Sequence, residues 1–177
     1  MLLYVMRHGV AVERGHVDYP NDAERPLTPR GQKRTRQAAR GLRALGVEPD
    51  LLLTSPLVRA RQTAAVVAAE LHLTPERIRE TSALAPGASA FEVFRELAGD
   101  GPPHAVVLVG HEPDLSELIS RLLVGDAHAL DAPLKKAAVC VVEVHSPPLA
   151  ARGTLRALLP PGALRAIGRK RKPKRTV

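Results

Sequence analysis

The sequence predicts an α/β fold with a mainly parallel central sheet covered by helices on both faces. Three observations carry this prediction. Apolar segments of strand length occur at Leu2 to Met6, within Asp50 to Thr54 and at Ala105 to Val109. Between them lie stretches whose apolar residues recur three and four apart. The two patterns alternate along the chain, as they do when parallel strands are joined by crossover helices.

The first run ends in Arg7-His8-Gly9, and an apolar run closed by polar residues reads as a buried strand. From Gly9 to Pro26 charge is dense and no period is sustained, which predicts a loop. Thr28-Pro29 is a helix start, with Thr as N-cap and Pro at the first helical position; Ala38, Leu42 and Leu45 form the apolar stripe and Gly46 the stop. After the second strand, Ser55-Pro56 repeats the cap-then-proline signal before Leu57, Ala60, Ala64, Val67 and Leu71. A helix around Phe91 to Leu97 follows a loop containing Pro and Gly. Gly110-His111-Glu112 separates the third strand from a helix starting near Pro113, with Leu115, Leu118, Ile119 and Leu122 on its buried face. Ala137 to Val144 and Thr154 to Leu159 are two further strands with no helix between them, expected to pair as an antiparallel edge.

A chain of 177 residues fits one domain, placed at residues 1–160. The formal charge of +8 and pI near 10.4 raise nucleic acid as a partner, so the location of the charge matters. Seven cations, Arg165, Arg169, Lys170, Arg171, Lys172, Lys174 and Arg175, fall in residues 161–177, and removing them leaves 8 − 7 = +1. The basic character therefore belongs to a C-terminal tail, expected to be disordered, whose contact with nucleic acid or another polyanion is the less favoured reading. Aromatic residues make up 2% of the chain, too few for a platform on which bases would stack. The single Cys140 lies in an apolar run and reads as a buried thiol in a reducing compartment. Met1 to Met6 is too short for a signal-peptide core and no apolar run reaches membrane-spanning length, so a cytoplasmic location and no membrane contact are expected.

In open α/β sheets ligands bind outside the carboxyl ends of the strands. There the three strands deliver Arg7-His8-Gly9, Ser55 to Arg59 and Gly110 to Pro113. Taken singly, Arg7 and His8 read as polar residues closing a strand, Arg59 as a solvated helix residue and His111 as a loop residue. Together at one edge they make an anion site, because guanidinium forks and helix N-termini suit phosphate oxygens. Histidine accepts a phosphoryl group when one ring nitrogen is unprotonated and the other is held by an acceptor. Neighbouring arginines are expected to keep His8 unprotonated.

These residues carry a likeness. M-R-H-G at Met6 to Gly9, R-P-L-T-P-R-G at Arg25 to Gly31, S-P-L-V-R-A-R-Q-T at Ser55 to Thr63 and V-G-H-E-P at Val109 to Pro113 resemble the histidine phosphatase, or phosphoglycerate mutase-like, superfamily. Length and the G-H-E-P-D-L-S-E-L form look most like the small phosphohistidine phosphatases of the SixA type. The resemblance implies a three-layer α/β/α sandwich, no metal and no cofactor. It implies that His8 becomes phosphorylated and that Arg7, Arg59 and His111 form the phosphate pocket, with Arg25 at its mouth. The partner it implies is a phosphorylated protein, a domain bearing phosphohistidine, met by a monomer. One departure stands out: many members carry a general-acid carboxylate where this chain reads Leu84-Ala85-Pro86-Gly87-Ala88-Ser89. Glu80 and Glu92 flank that segment and Glu13 follows the R-H-G loop. The small phosphohistidine-specific members share this lack.

Other chemistries fit less well. The histidines show no H-x-H, H-x-x-x-H or H-E-x-x-H spacing for a metal hydrolase, no G-x-S-x-G elbow exists for a serine hydrolase, and no P-loop is present. The alternatives that remain are a broader phosphomonoesterase of the same superfamily, and a phosphate- or polyanion-binding module using the basic tail.

Overall fold

The computed structural model describes residues 1–97, 103–144 and 153–169. Its strands are β1 (Leu2–Arg7), β2 (Leu51–Thr54), β3 (Ile78–Glu80), β4 (Ala105–Gly110), β5 (Val139–Glu143) and β6 (Thr154–Leu159). They form one sheet in the order β3-β2-β4-β1-β5-β6. β1 runs parallel to β4, and β2 parallel to both β3 and β4. β5 lies antiparallel to β1 and to β6, so the last two strands form the antiparallel edge that the sequence predicts.

Period-two alternation divides the sheet's side chains between two cores. Leu3, Val5, Leu51, Leu53, Val106, Leu108, Cys140 and Val142 face one way, onto α3 (Ala90–Leu97) and α4 (Asp114–Val124) through Val93, Phe94, Leu97, Leu115, Leu118 and Ile119. Met6, Leu52, Val107, Val109, Val139 and Val141 face the other way, onto α1 (Pro29–Ala44), α2 (Val58–Leu71) and α5 (Pro161–Ile167). Each fully buried aliphatic side chain contributes about 1.5–3 kcal/mol. The result is the three-layer sandwich, with β1 in the interior of the sheet.

Local signals account for most element ends. Thr28 caps α1, its hydroxyl accepting from Gly31 N at 2.9 Å, with Pro29 in the first turn. Gly46 takes a φ of 75° after the helix, a left-handed conformation that glycine adopts without steric cost. Two elements differ from expectation. β3 is three residues at an edge, too short to show a period.

The tail expected from residue 161 begins instead with α5, whose Leu164 is fully buried against Ala38, Ala39 and Leu42. Composition obscured this helix, because its buried residue, Leu164, stands directly ahead of the basic run that begins at Arg165. Gly41 and Gly168 allow the close approach: a Cβ on Gly41 would collide with the carbonyl of Leu164, and one on Gly168 with backbone atoms of Gln37 and Gly41. Residues 170–177, which hold most of the basic run, lie outside the described residues.

Candidate active site

The carboxyl ends of β1, β2 and β4 do converge, on a cleft of about 630 Å³ whose wall includes Arg7, His8, Arg25, Arg59 and His111. His8, Arg59 and His111 are 5%, 3% and 3% exposed, so these polar groups must find partners inside the protein or in a ligand.

His8 follows the last residue of β1, and its N–H continues the ladder to Gly110 O at 3.1 Å. Its Nδ1 lies 2.7 Å from Gly9 O. A carbonyl only accepts, so Nδ1 carries the proton and Nε2 keeps its lone pair. Gly9 is required beside it: a Cβ there would strike Thr35 Oγ1 and the Leu27 side chain. Burial, above all, holds His8 well below the usual imidazole range, at about 3; His111 adds to this, the Gly9 carbonyl opposes it, and Arg59 and Lys136 lower it further. Charge repulsion from the arginines, the cause expected from the sequence, is thus secondary to burial.

His111 stands with its ring centroid 5.0 Å from that of His8. Its Nε2 is 2.8 Å from Ser55 Oγ, while its Nδ1 is buried with no partner among the described residues. Its pKa falls to about 4, first through burial and then through Arg59. The bond to Ser55 explains a departure from the sequence reading. Ser55 does not cap α2, which begins at Val58 with no side-chain cap; its hydroxyl is engaged by His111 and by Leu57 N at 3.3 Å.

Arg59, in the first turn of α2, donates Nη1 to Asp22 O at 2.7 Å and Nη2 to Asp22 Oδ2 at 2.9 Å. This fixes the end edge of the guanidinium. Its Nε, on the side edge, is buried without a partner. Arg7 is built alike: Nη1 donates to Leu134 O at 2.8 Å and Nε is buried and unpartnered. Unpaired buried donors are costly, by about 1–3 kcal/mol each, unless an acceptor arrives. Three residues of the cleft wall that His8 shares thus carry a buried, unpartnered nitrogen, a set that suits an anion.

Arg25 also lies in the wall, but its donors are committed: Nε and Nη2 to Asp22 Oδ1 at 3.0 and 2.8 Å, and Nη1 to Val12 O at 2.5 Å. It braces Asp22 and the loop after β1. Asp22 is the residue that sequence reading missed. Burial opposes its ionisation, yet bonds from Arg25 and Arg14 and the charge of Arg59 outweigh this and hold its carboxyl at about 2. Asn21-Asp22 opening a short 3-10 turn was the available signal, Asn21 Oδ1 accepting from Ala23 N. Two motif residues of α2 tie the loops together. Thr63 Oγ1 accepts from Gly9 N at 2.9 Å and donates to Arg59 O at 2.7 Å, and Gln62 Oε1 accepts from Leu27 N at 2.7 Å.

The carboxylates near the cleft are placed as follows. Glu80 is outside it, 3.6 Å from Arg61, and Glu92 is exposed on α3. Glu112 lines the cleft with both oxygens engaged, Oε1 by Leu134 N at 2.8 Å and Oε2 by Ser116 Oγ at 2.5 Å. Glu13 lines it and is exposed. Among the described residues no cluster of His, Cys, Asp and Glu offers a metal-ligand set, and no helix is long and apolar enough to cross a membrane.

Residues 3–85 match the family model of the histidine phosphatase superfamily (branch 1). An uncharacterised protein of Picosynechococcus is 43% identical over 143 residues, 78% of this chain and 82% of that protein. The phosphohistidine phosphatase SixA of Escherichia coli is 30% identical over 128 residues, 71% of this chain and 76% of SixA. Among solved structures, the protein histidine phosphatase SixA complexed with tungstate superposes with a TM-score of 0.79 at 27% identity, covering 93% of this chain and 99% of that one. The α-ribazole phosphatase of Shigella flexneri shares the fold, with a TM-score of 0.64 at 18% identity over 91% of this chain and 97% of that one.

Proposed function

The chain belongs to the histidine phosphatase superfamily, and on that premise we propose that it removes phosphate from phosphohistidine in a protein substrate, with His8 as nucleophile. The observation that carries the reading is the pairing of a lone-pair nitrogen, His8 Nε2, with the buried, unpartnered donors of Arg7, Arg59 and His111. Support comes also from the SixA structure that binds tungstate, a tetrahedral oxyanion like phosphate.

In the first step His8 Nε2 attacks phosphorus, the P–Nε2 bond forms and the bond to the substrate's imidazole nitrogen breaks, that nitrogen taking a proton from water. In the second, water attacks phosphorus, the P–Nε2 bond breaks, the proton lost by water passes to solvent and phosphate leaves. The side edges of Arg7 and Arg59 hold the non-bridging oxygens where charge is greatest. Ser55 donating to His111 Nε2 would put the proton on Nδ1, which then serves as the third donor. Arg25, with its donors committed, braces the site through Asp22 and does not hold substrate. The arginines do the work of a cation, so a chelator leaves the rate unchanged. A reducing, cytoplasmic setting fits the buried free thiol of Cys140.

Specificity rests on the leaving group. An alkoxide needs a general acid, worth roughly 10²–10⁴-fold, whereas imidazole, with a pKa near 6.5, finds a proton in neutral water. The segment at Leu84 to Ser89 supplies no carboxylate, and Glu112 is tied to Ser116 and Leu134. Exposed Glu13 on the wall supports the second reading, a broader phosphomonoesterase. The test is kcat/KM for a phosphohistidine peptide, a phosphoserine peptide and a series of aryl phosphates, with wild type and Glu13→Gln. Preference for phosphohistidine and aryl phosphates with good leaving groups, unchanged by Glu13→Gln, is expected. Phosphoserine turned over as fast as phosphohistidine, and lost in Glu13→Gln, would replace the first reading with the second.

A further inference from the structure

Lys136 belongs to none of the sequence motifs, yet it lines the cleft beside Arg7, His8 and Arg59. The turn that carries it is fastened on both sides to the end of β1. Ala137, the next residue, has a φ of 63°, a left-handed conformation that disfavours a residue with a Cβ. Its N–H lies 3.0 Å from Arg7 O and 3.2 Å from His8 O. Two residues before Lys136, Leu134 O accepts from Arg7 Nη1, while Leu134 N is held by Glu112. A lysine held between two such anchors is presented to the cleft from a fixed base.

Its ammonium has no hydrogen-bond or ion-pair partner among the described residues, although Lys136 is half-buried. The carboxylate of Asp22 pairs with Arg14, Arg25 and Arg59. Among the described residues Arg7 bonds only to a neutral carbonyl. Arg7 and Lys136 are therefore two cations at His8 with no carboxylate between them, and a terminal phosphoryl group carries two negative charges when fully ionised. Burial first, and the charges of Arg7, Arg25 and Arg59 after it, push the lysine's pKa down, as befits a cation placed among cations to await an anion.

We propose that Lys136 is a catalytic residue whose ammonium contacts the transferring phosphoryl group and, with Arg7, neutralises its charge. The proposal rests on the phosphatase reading. Lys136 keeps its protons through both steps and acts on the non-bridging oxygens, which every substrate shares. Its contribution is therefore independent of the leaving group.

Wild type, Lys136→Met and Lys136→Arg are compared on a phosphohistidine peptide and on aryl phosphates of low and high leaving-group pKa, with inhibition by vanadate measured for each and folding checked by thermal melting. Lys136→Met is expected to lose about 10²-fold in kcat/KM on all substrates alike and to bind vanadate more weakly, with Lys136→Arg recovering part of both. Wild-type kcat/KM and vanadate inhibition in Lys136→Met would overturn the proposal. So would a loss that grows with leaving-group pKa, which marks proton donation, or an arginine variant no better than methionine. A wild type inactive on every substrate would sink the phosphatase reading itself, whereas an active wild type with an unaffected Lys136→Met sinks only the role of Lys136.

Discussion

His8 Nδ1 and Gly9 O are joined by a 2.7 Å hydrogen bond that closes within two consecutive residues. The orientation of the nucleophile is thereby set by its own neighbour in sequence, with no distant carboxylate involved. His8→Ala should abolish turnover. Rapid acid-free quenching of wild type with substrate, followed by intact-mass measurement, should find one phosphate on His8 that is lost in acid. An active His8→Ala protein would exclude the mechanism.

Asp22 holds the end edge of Arg59 and the side edge of Arg25. Asp22→Ala should cut kcat/KM by about tenfold, the worth of one or two charge-assisted hydrogen bonds, by loosening Arg59. Asp22→Asn should be milder, because its amide oxygen can still accept from Arg59 Nη2, whereas Ala keeps only the main-chain carbonyl. Steady-state kinetics on one aryl phosphate decide it; an Asp22→Ala enzyme as active as wild type would mean that Arg59 holds its pose without this anchor.

The depressed pKa values of His8, about 3, and His111, about 4, make stability pH-dependent. Between those values and the unfolded value near 6.5, the unfolded chain binds more protons than the folded one. Stability is therefore full above pH 6.5 and declines as pH falls, by at most ~1.4 kcal/mol per pH unit for each histidine. Asp22, held at about 2, adds a further loss below its unfolded value near 4. Urea midpoints at pH 7.5, 6 and 5 should fall in that order, and His8→Asn should flatten the slope. A flat profile would contradict the burial of neutral imidazoles.

Gly41 lets α5 settle on α1. Gly41→Ala gains up to ~1 kcal/mol of helix propensity but forces Leu164 away, so the full chain should lose about 1–2 kcal/mol. In a chain ending at Pro160 the same substitution should stabilise, since the Leu164 backbone that the Cβ would strike is gone. Chemical denaturation of the four proteins measures both signs. A comparison that asks what the basic residues 170–177 do must accordingly keep α5 and end at Arg169.

The strands and helix faces were legible because the patterns are local: Leu2 to Met6 is one continuous apolar run, and Ala60, Ala64 and Val67 repeat at helical spacing. The motif residues His8, Arg59 and His111 were legible because each directly follows or closely succeeds a strand. Asp22 was not, since its partner Arg59 lies 37 residues on and the loop carrying it has no period. Lys136 escaped notice for a different reason: it reaches the cleft only because β5 runs antiparallel to β1, a pairing that puts the start of one strand beside the end of the other. Ser55 was misread as a cap because local preference favours that role, and a buried histidine outcompeted it.

The backbone around the nucleophile is tied on every side: His8 N to Gly110 O, His8 O to Ala137 N and Gly9 N to Thr63 Oγ1. An imidazole so anchored cannot advance toward its target, and phosphorus must make the journey between donor and acceptor nitrogens. The reorganisation that solvent would have to undergo at each turnover has been completed once, when the chain folds. The amide hydrogen of His8 should then be among the slowest in the protein to exchange with deuterium, because it is released only when β1 parts from β4, and that of Gly9 should follow the parting of α2 from the loop.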